Sequence, residues 1–336
     1  MKISKKYVKA NIVEVTVETP NGSVFAFINI GAALTKWITS DNTQIVASYQ
    51  DYLDYFKPGM YLGTNVGLTA GRIKDGRFSL DNITYQFENP EINLLHFGKE
   101  GISFKEFSIF EEANEDNKVI LRFSLDYQHS VLPGMQRIDI FYTITDNCLF
   151  IEYKVVSTET TICNVTNHSY FNLDGDFDYE VKSHFLEVKS PLVVIPNKRM
   201  IGDLLLNVQD TIFDFRNEKQ IIPVINDRSL QEDVTKGLDH YFILSENEEF
   251  NVCLSSKKTN RKLYVSTNYP GITIYSTNYP DKSILHTSRP LAYHSAIAIE
   301  PHFQSNAIND SRFLTYILEP NRTYEHFIEY RLEESA

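Results

Sequence analysis

The alternation of apolar and polar residues, with a period of two, constrains the fold of this chain most strongly. Within residues 137–145 every second residue is apolar, and the alternation resumes over 149–155 after Asp146-Asn147. A period of two places alternate side chains on opposite faces of a β-strand. Because Asp and Asn favour turns between such strands, these residues predict an antiparallel hairpin.

A second hairpin is predicted around Pro270-Gly271, which separates the strand-like stretches 263–267 and 272–275. The string Ser-Thr-Asn-Tyr-Pro stands at 266–270 and recurs at 276–280. A separation of ten residues suits successive strands, whereas two copies are too few to indicate a solenoid.

The remaining patterns are also mostly those of strands, at 23–30, 118–125 and 295–300. Helical signal is limited to residues 48–56, where Ser48 is a candidate N-cap and Tyr52 and Phe56 stand four residues apart. The chain is therefore predicted to be almost entirely β.

No linker rich in Pro, Gly or Ser divides the 336 residues, although this length exceeds that of an average domain. Sandwiches of β-sheets often exceed the average size as one unit. The chain also contains 22 Phe and 20 Tyr but a single Trp, and Phe and Tyr favour half-buried sheet surfaces. We therefore expect residues 1–336 to form a single all-β domain, a sandwich of antiparallel strands.

Composition excludes several classes of partner. The formal net charge of −12, without a long Lys/Arg run, argues against nucleic-acid binding. No apolar run follows Met1–Lys6, and no stretch of 18 apolar residues occurs elsewhere, which argues against a membrane partner. Three widely spaced cysteines without a Cys-x-x-Cys pair do not suggest a disulfide framework or a zinc site. We expect a cytoplasmic protein.

The segment most informative about chemistry is Asn167-His168-Ser169-Tyr170-Phe171-Asn172-Leu173. Histidine exchanges a proton near neutral pH, so it is a common general acid or base. Taken alone, however, a histidine beside aromatic residues is more often structural, and His168 by itself does not identify an enzyme.

The whole string resembles the most characteristic motif of the galactose mutarotase (aldose 1-epimerase) family. Further motifs of that family occur along the chain, in the family's order. They are Gly71-Arg72-Ile73, Leu95-His96-Phe97-Gly98, Gly237-Leu238-Asp239-His240-Tyr241-Phe242, Ile299-Glu300-Pro301-His302 and Leu318-Glu319-Pro320-Asn321. One motif could arise by accident, but an ordered set that spans nearly the whole chain could not.

The resemblance implies a large antiparallel super-sandwich with a sugar cleft on one face, and an enzyme that interconverts the α and β anomers of a hexose. It implies that Glu300 is the catalytic base and His168 the catalytic acid. It further implies that the sugar hydroxyls are bound by Arg72, His96 and Asp239. Tyr170 and Phe171 are candidates to pack on the sugar ring.

The chemistry of the reaction agrees with these residue types. Opening a hemiacetal removes a proton from O1 and adds one to the ring oxygen, which requires a base and an acid but neither a metal nor a cofactor. A carboxylate suits the base and an imidazole the acid, while an arginine and an aspartate bind hydroxyls. We therefore expect a sugar substrate, no cofactor and no metal.

Each residue also has a structural interpretation. Arg72 could pair with Asp75 at the surface, and Asp239 could be a turn residue. Glu300 could end a strand, and His96 could be exposed in a loop. The ordered set of motifs favours the functional interpretation of all five site residues.

The sequence departs from the family pattern beside the expected cleft. Phe97 stands where Gly is usual and is expected to add bulk near the cleft, and Gly71 replaces a common Asn. His302 stands where Gln is common, and Ser305-Asn306 where Pro-Asp is common. None of these changes removes the acid or the base, but they leave the preferred sugar open.

Two alternatives follow from the same motifs. The first is an epimerase of the same fold that acts on a phosphorylated or unusual sugar, which would need further cationic residues around the cleft. The second is a non-catalytic carbohydrate-binding protein. Retention of both Glu300 and His168 argues against the second, because binding alone requires no matched acid and base.

Overall fold

A computed structural model describes residues 1–9, 11–87 and 93–334, and the chain in these ranges is mostly β-strand. In chain order the strands are β1 (Lys2–Lys9), β2 (Ile12–Glu18), β3 (Val24–Ile28), β4 (Ala33–Ile38), β5 (Asn65–Val66), β6 (Arg72–Ile73), β7 (Arg77–Leu80), β8 (Ile83–Gln86), β9 (Leu94–Leu95), β10 (Ser108–Asn114), β11 (Val119–Tyr127), β12 (Gln136–Ile144), β13 (Cys148–Ser157), β14 (Thr161–Ile162), β15 (Thr166–Asn167), β16 (Tyr170–Phe171), β17 (His184–Val188), β18 (Leu192–Pro196), β19 (Gly202–Asn207), β20 (Lys219–Gln220), β21 (Asp239–Ile243), β22 (Val252–Ser256), β23 (Lys262–Thr267), β24 (Gly271–Tyr275), β25 (Ile297–Pro301), β26 (Ile317–Leu318) and β27 (Tyr324–Glu333).

Helices in the described part of the chain are few and short. The α-helices are α1 (Ile222–Ile225) and α2 (Arg228–Glu232), and 3₁₀ turns occupy Tyr52–Phe56, Lys74–Gly76, Gly98–Glu100, Ile102–Phe104 and Ala307–Asn309. No helix in the described ranges is long and apolar enough to cross a membrane.

The helix predicted over residues 48–56 is wrong in its start and its cap. The 3₁₀ turn begins only at Tyr52, and the Asp51 carboxylate caps it by accepting a hydrogen bond from the Leu53 N–H at 3.0 Å. Ser48 instead contacts the His286 ring, with 3.4 Å between Oγ and Nδ1. Asp caps a turn as well as Ser does, so the turn can begin at a cap three residues later than the predicted one.

The strands form three large antiparallel sheets, which confirms the all-β prediction. The largest has nine strands in the order β10-β11-β12-β13-β27-β23-β22-β17-β20. A six-stranded sheet has the order β16-β25-β24-β21-β18-β19, and a four-stranded sheet runs β1-β2-β3-β4. The described residues also form four two-stranded ladders, among them β6-β9 and β15-β5.

The core lies where one face of the nine-stranded sheet packs against the other two sheets. Phe27 of β3 packs on Tyr142 of β12, with ring centroids 4.5 Å apart. Tyr330 of β27 contacts the ring of Phe171 in β16, at 5.1 Å, and its hydroxyl donates a hydrogen bond to the Ile299 carbonyl at 3.2 Å. The nine-stranded sheet therefore supports both smaller sheets through aromatic contacts.

The hairpin predicted on either side of Asp146-Asn147 is confirmed. β12 and β13 pair over nine residues, from Gln136 opposite Ser157 to Ile144 opposite Leu149. The alternate apolar residues of both strands are buried, as the period of two requires. The strands predicted at 23–30, 118–125 and 295–300 correspond to β3, β11 and β25.

The hairpin predicted around Pro270-Gly271 is wrong. Both strands exist, as β23 and β24, but β23 pairs with β22 and β27 whereas β24 pairs with β21 and β25. The link between them crosses from the nine-stranded to the six-stranded sheet. Asn268 stabilises the start of this link against β27, because its side-chain oxygen accepts a hydrogen bond from the Phe327 N–H at 2.9 Å.

Candidate active site

A cavity of about 400 Å³ opens on one face of the six-stranded sheet, within the size range of small-molecule sites. All five site residues predicted from the sequence line it: Arg72, His96, His168, Asp239 and Glu300. They come from five separate segments of the chain, so the folding of the sheets brings them together.

The six-stranded sheet positions both carboxylates. Asp239 begins β21 and stands opposite Tyr275 of β24. Glu300 lies on β25, on the other side of β24, opposite Thr273. Since neighbouring strands are about 4.8 Å apart, the two acidic side chains face one cavity from strands separated by a single strand.

His168 lies between the short strands β15 and β16. Its backbone is fixed on both sides, because its N–H donates to the Thr64 carbonyl at 2.8 Å and its carbonyl accepts from the Gly63 N–H at 3.0 Å. Its Nε2 atom is 3.4 Å from Oε1 of Glu300, and the two side chains are only 6% and 5% exposed. Imidazole and carboxyl are therefore direct neighbours in a largely desolvated part of the cavity.

The Arg72 and His96 side chains enter from the ladder formed by β6 and β9, in which Arg72 pairs with Leu95. Nδ1 of His96 accepts a hydrogen bond from the Gly71 N–H at 3.2 Å. The proton of a neutral imidazole must then lie on Nε2, which makes His96 a hydrogen-bond donor. Its ring meets that of His168 edge-on at 5.2 Å.

Burial displaces the pKa values of the site. It raises the pKa of Glu300 well above the ordinary value, and the nearby negative charge of Asp239 adds to this effect. Burial lowers the pKa of His168 to about 3 and raises that of Asp239. Burial therefore disfavours the charged forms of both Glu300 and His168.

Comparison with known proteins identifies the family of this chain. The family model described as aldose 1-epimerase matches residues 13–331. The chain belongs to the aldose 1-epimerase family. It is therefore an isomerase of that family.

The chain is similar in sequence and in fold to members of the aldose 1-epimerase family. It is 29% identical to galactose mutarotase of Sus scrofa over 309 residues, which is 89% of this chain and 88% of the relative. It is 25% identical to aldose 1-epimerase of Streptococcus thermophilus, with all of both chains covered. The structure of an aldose epimerase homologue from C. elegans superposes with a TM-score of 0.85 at 25% identity, over 99% of this chain and 100% of that one. The expected super-sandwich of the galactose mutarotase type is thus confirmed.

Three residues of the aldose 1-epimerase cavity also form a set that could hold a metal ion. The possible ligand atoms of His96, His168 and Glu300 all lie within 4.8 Å of one another. The hydrogen bond from Gly71 works against a metal here, because it occupies the lone pair of His96 Nδ1 and leaves the proton on Nε2. His96 then has no nitrogen free to bind a cation.

Two residues expected near the sugar lie elsewhere. Phe171 packs on Tyr330 of β27 and does not line the cavity. The expectation that Phe97 adds bulk near the cleft is also wrong, because its ring packs on Phe87 and His129 at 5.0 and 4.6 Å. A left-handed backbone at Phe97, with φ of +67°, turns the side chain into the core.

Arg72 does not form the surface pair with Asp75 that was considered as an alternative. Asp75 instead accepts a hydrogen bond from Arg199, at 2.6 Å. Arg72 is half-buried at the cavity wall, and its positive charge lowers the pKa of Glu300, against the larger effects of burial and Asp239.

Sequence reasoning missed several residues that line the cavity, chiefly tyrosines. Tyr61 packs on His96 with ring centroids 4.9 Å apart. The Tyr275 hydroxyl accepts a hydrogen bond from the Tyr279 N–H at 3.0 Å, so its own proton is available to a ligand. Only the register of β24 between β21 and β25 places Tyr275 here, and local sequence patterns do not encode that register.

Proposed function

We propose that this protein interconverts the α and β anomers of a hexose, galactose or glucose, by general acid/base opening and closing of the ring. The observation that carries the proposal is the 3.4 Å contact between Nε2 of His168 and Oε1 of Glu300. This pair lies in a cavity whose other polar groups suit hydroxyls.

In the proposed reaction the pair of His168 and Glu300 always carries one proton, on His168 before the ring opens and on Glu300 afterwards. Glu300 as carboxylate takes the proton of the anomeric hydroxyl, while His168 as imidazolium protonates the ring oxygen. The C1–O5 bond breaks, the open-chain aldehyde forms, and both side chains become neutral. After rotation about C1–C2, the ring oxygen attacks the other face of the aldehyde. Both protons return, which restores the carboxylate and the imidazolium.

The environment of the pair assists ring opening. A raised pKa makes the carboxylate of Glu300 a stronger base, and a lowered pKa makes the imidazolium of His168 a stronger acid. Both shifts have burial as their largest cause. A buried pair therefore transfers protons to and from the sugar more readily than the same groups would in water.

The remaining site residues are proposed to bind the sugar. His96 donates from Nε2, Arg72 donates from its guanidinium, and Asp239 accepts from hydroxyls. Tyr170, whose ring is 5.0 Å from that of His168, is proposed to pack on the apolar face of the sugar ring. We also propose that residues 1–336 act as one domain, because the five site residues come from positions 72 to 300.

A phosphorylated substrate is less well supported than a neutral sugar. Among the described residues that line the cavity, Arg72 is the only lysine or arginine, while Asp239 and Glu300 are both acidic. A phosphate group would therefore meet more acidic than basic side chains. A protein that only binds sugar would not need the contact between His168 and Glu300.

Polarimetry of freshly dissolved α-D-galactose and α-D-glucose tests the proposal, with folding verified by circular dichroism. We expect the protein to accelerate the change in optical rotation over buffer, equally with and without EDTA. No acceleration for any common aldose would refute the proposed activity. Activity that vanishes with EDTA would show that a metal is required.

A further inference from the structure

Gly71 and Ser305 meet at the wall of the cavity, beside Arg72. Gly71 has a φ of +71°, in the left-handed region that favours glycine and admits asparagine. A Cβ atom on Gly71 would lie 1.8 Å from Oγ and 2.8 Å from Cβ of Ser305. Since both distances are far below van der Waals contact, the Ser305 side chain occupies the place that a side chain at position 71 would need.

Hydrogen bonds fix the segment that carries Ser305 against the segment that carries Arg72. Oδ1 of Asn306 accepts a hydrogen bond from the Lys74 N–H at 2.9 Å. Nδ2 of Asn309 donates to the Arg77 carbonyl at 2.8 Å. The backbone of the segment that carries Ser305 is therefore held in place beside Arg72.

The Ser305 hydroxyl has a free hydrogen-bonding capacity. It lines the cavity and is half-buried, and within residues 1–9, 11–87 and 93–334 no other group hydrogen-bonds to it. A serine hydroxyl can both donate and accept. A sugar hydroxyl can do the same, so the two groups are chemically matched.

We propose that Ser305 binds a sugar hydroxyl on the Arg72 side of the cavity, and that Gly71 is glycine to make room for it. The pair thereby contributes to the choice among hexoses. The proposal rests on the proposed epimerase function, since it assumes that a sugar occupies this cavity. Position 71 can carry a side chain, or position 305 can supply the hydroxyl, but not both.

The first experiment is a series of sugars against the Ser305→Ala variant, with binding measured by titration calorimetry and turnover by polarimetry. A lost neutral hydrogen bond should weaken binding of the preferred hexose roughly two- to tenfold. Among the 2-, 3-, 4- and 6-deoxy derivatives, the one that lacks the bound hydroxyl should bind the variant and the wild type equally well. Ser311→Ala, an exposed serine six residues further along the chain, is the matched control and should change nothing.

The second experiment tests the steric link with Gly71→Asn, Ser305→Gly and the double variant. Gly71→Asn alone should lose sugar affinity, because its Cβ meets the Ser305 side chain. In the double variant the nearest atom of residue 305 is Cα, at 3.5 Å, which is an ordinary contact. Affinity, or folding if the single variant is unstable, should therefore recover when Ser305→Gly is added.

The outcomes separate this inference from the proposed function. Calorimetry needs no turnover, so a wild type that binds hexoses without accelerating mutarotation would count against the epimerase proposal alone. If Ser305→Ala binds every sugar as the wild type does, or loses the same factor on all the deoxy sugars, the inference is overturned. The Ser305→Ala series decides the matter even if neither Gly71 variant folds.

Discussion

Replacing Glu300 with glutamine separates the chemical role of this residue from its structural one. Glutamine keeps the shape and a hydrogen-bonding oxygen but cannot accept the proton of the anomeric hydroxyl. A positioned general base contributes about 10²–10⁴-fold, so polarimetry at saturating sugar should show kcat reduced by about that factor. The affinity for the sugar should change little.

The contact with His168 couples the loss of the base to the function of the acid. Two unit charges 3.4 Å apart attract each other by about 5 kcal/mol at an effective dielectric constant of about 20. Without the carboxylate the imidazolium of His168 loses this stabilisation, so the acid is lost together with the base. The losses of Glu300→Gln and His168→Asn should therefore not add, and the double variant should resemble the worse single one.

Stability should respond in the opposite direction to activity. Because burial raises the pKa of Glu300 above its ordinary value near 4.5, the unfolded chain ionises first as the pH rises, and the folded state is destabilised relative to it. Glutamine does not ionise, so the variant lacks this destabilisation. The melting temperature of Glu300→Gln should equal or exceed that of the wild type at pH 7, and the difference should vanish below about pH 4.

Glu14 provides the matched control, since it is another buried glutamate and does not line this cavity. Burial raises its pKa, but hydrogen bonds from Lys6 and Tyr52 outweigh that effect and lower it overall. Glu14→Gln should therefore melt earlier at pH 7 and keep its activity. Near-normal turnover in Glu300→Gln, or an equal loss of activity in Glu14→Gln, would refute the reasoning.

Two further variants test the electrostatics of the cavity and the stability of the fold. Asp239→Asn should raise KM and lower kcat, because a hydroxyl acceptor is lost. Its pH-rate profile should also move to lower pH, since Asp239 contributes to the raised pKa of Glu300. Arg261→Lys should lower the free energy of unfolding, measured in urea, by about 1–3 kcal/mol. Arg261 is buried and donates to the carbonyl of Leu173 at 2.7 Å, and lysine cannot reproduce the planar guanidinium.

The controls for these variants are internal to each measurement. A profile of Asp239→Asn that stays in place or moves to higher pH would contradict the electrostatic link to Glu300. Arg261→Lys should leave KM for the sugar unchanged, because Arg261 does not line the cavity. An unchanged unfolding midpoint would show that the hydrogen bond to Leu173 contributes little.

The sequence predicted strands well and their partners less well, for a physical reason. In the β12–β13 hairpin the turn and the alternation act on the same pair of strands, so a local pattern suffices. Around Pro270-Gly271 the same local signals stand at a crossing between two sheets. There β23 pairs with β27, which is distant in sequence, and β24 pairs with β25, which follows it only after a loop. A local pattern carries no information on these partners.

The candidate site shows the same limit. The five motif residues were identified from family resemblance, and the structure places them around one cavity. Gly71 and Ser305 were each noticed only as departures, 234 positions apart in the numbering. Their contact depends on how one loop packs on another, which neither residue reveals alone.

The division of the cavity between sheet and loops has a consequence for engineering. Asp239, Tyr275 and Glu300 stand on three adjacent strands, so an inserted or deleted residue within those strands would turn a side chain to the opposite face. Gly71 and Ser305 lie outside the large sheets and can be exchanged without disturbing their ladders. A library for new sugars should therefore randomise position 305, limit position 71 to glycine and asparagine, and leave the six-stranded sheet untouched.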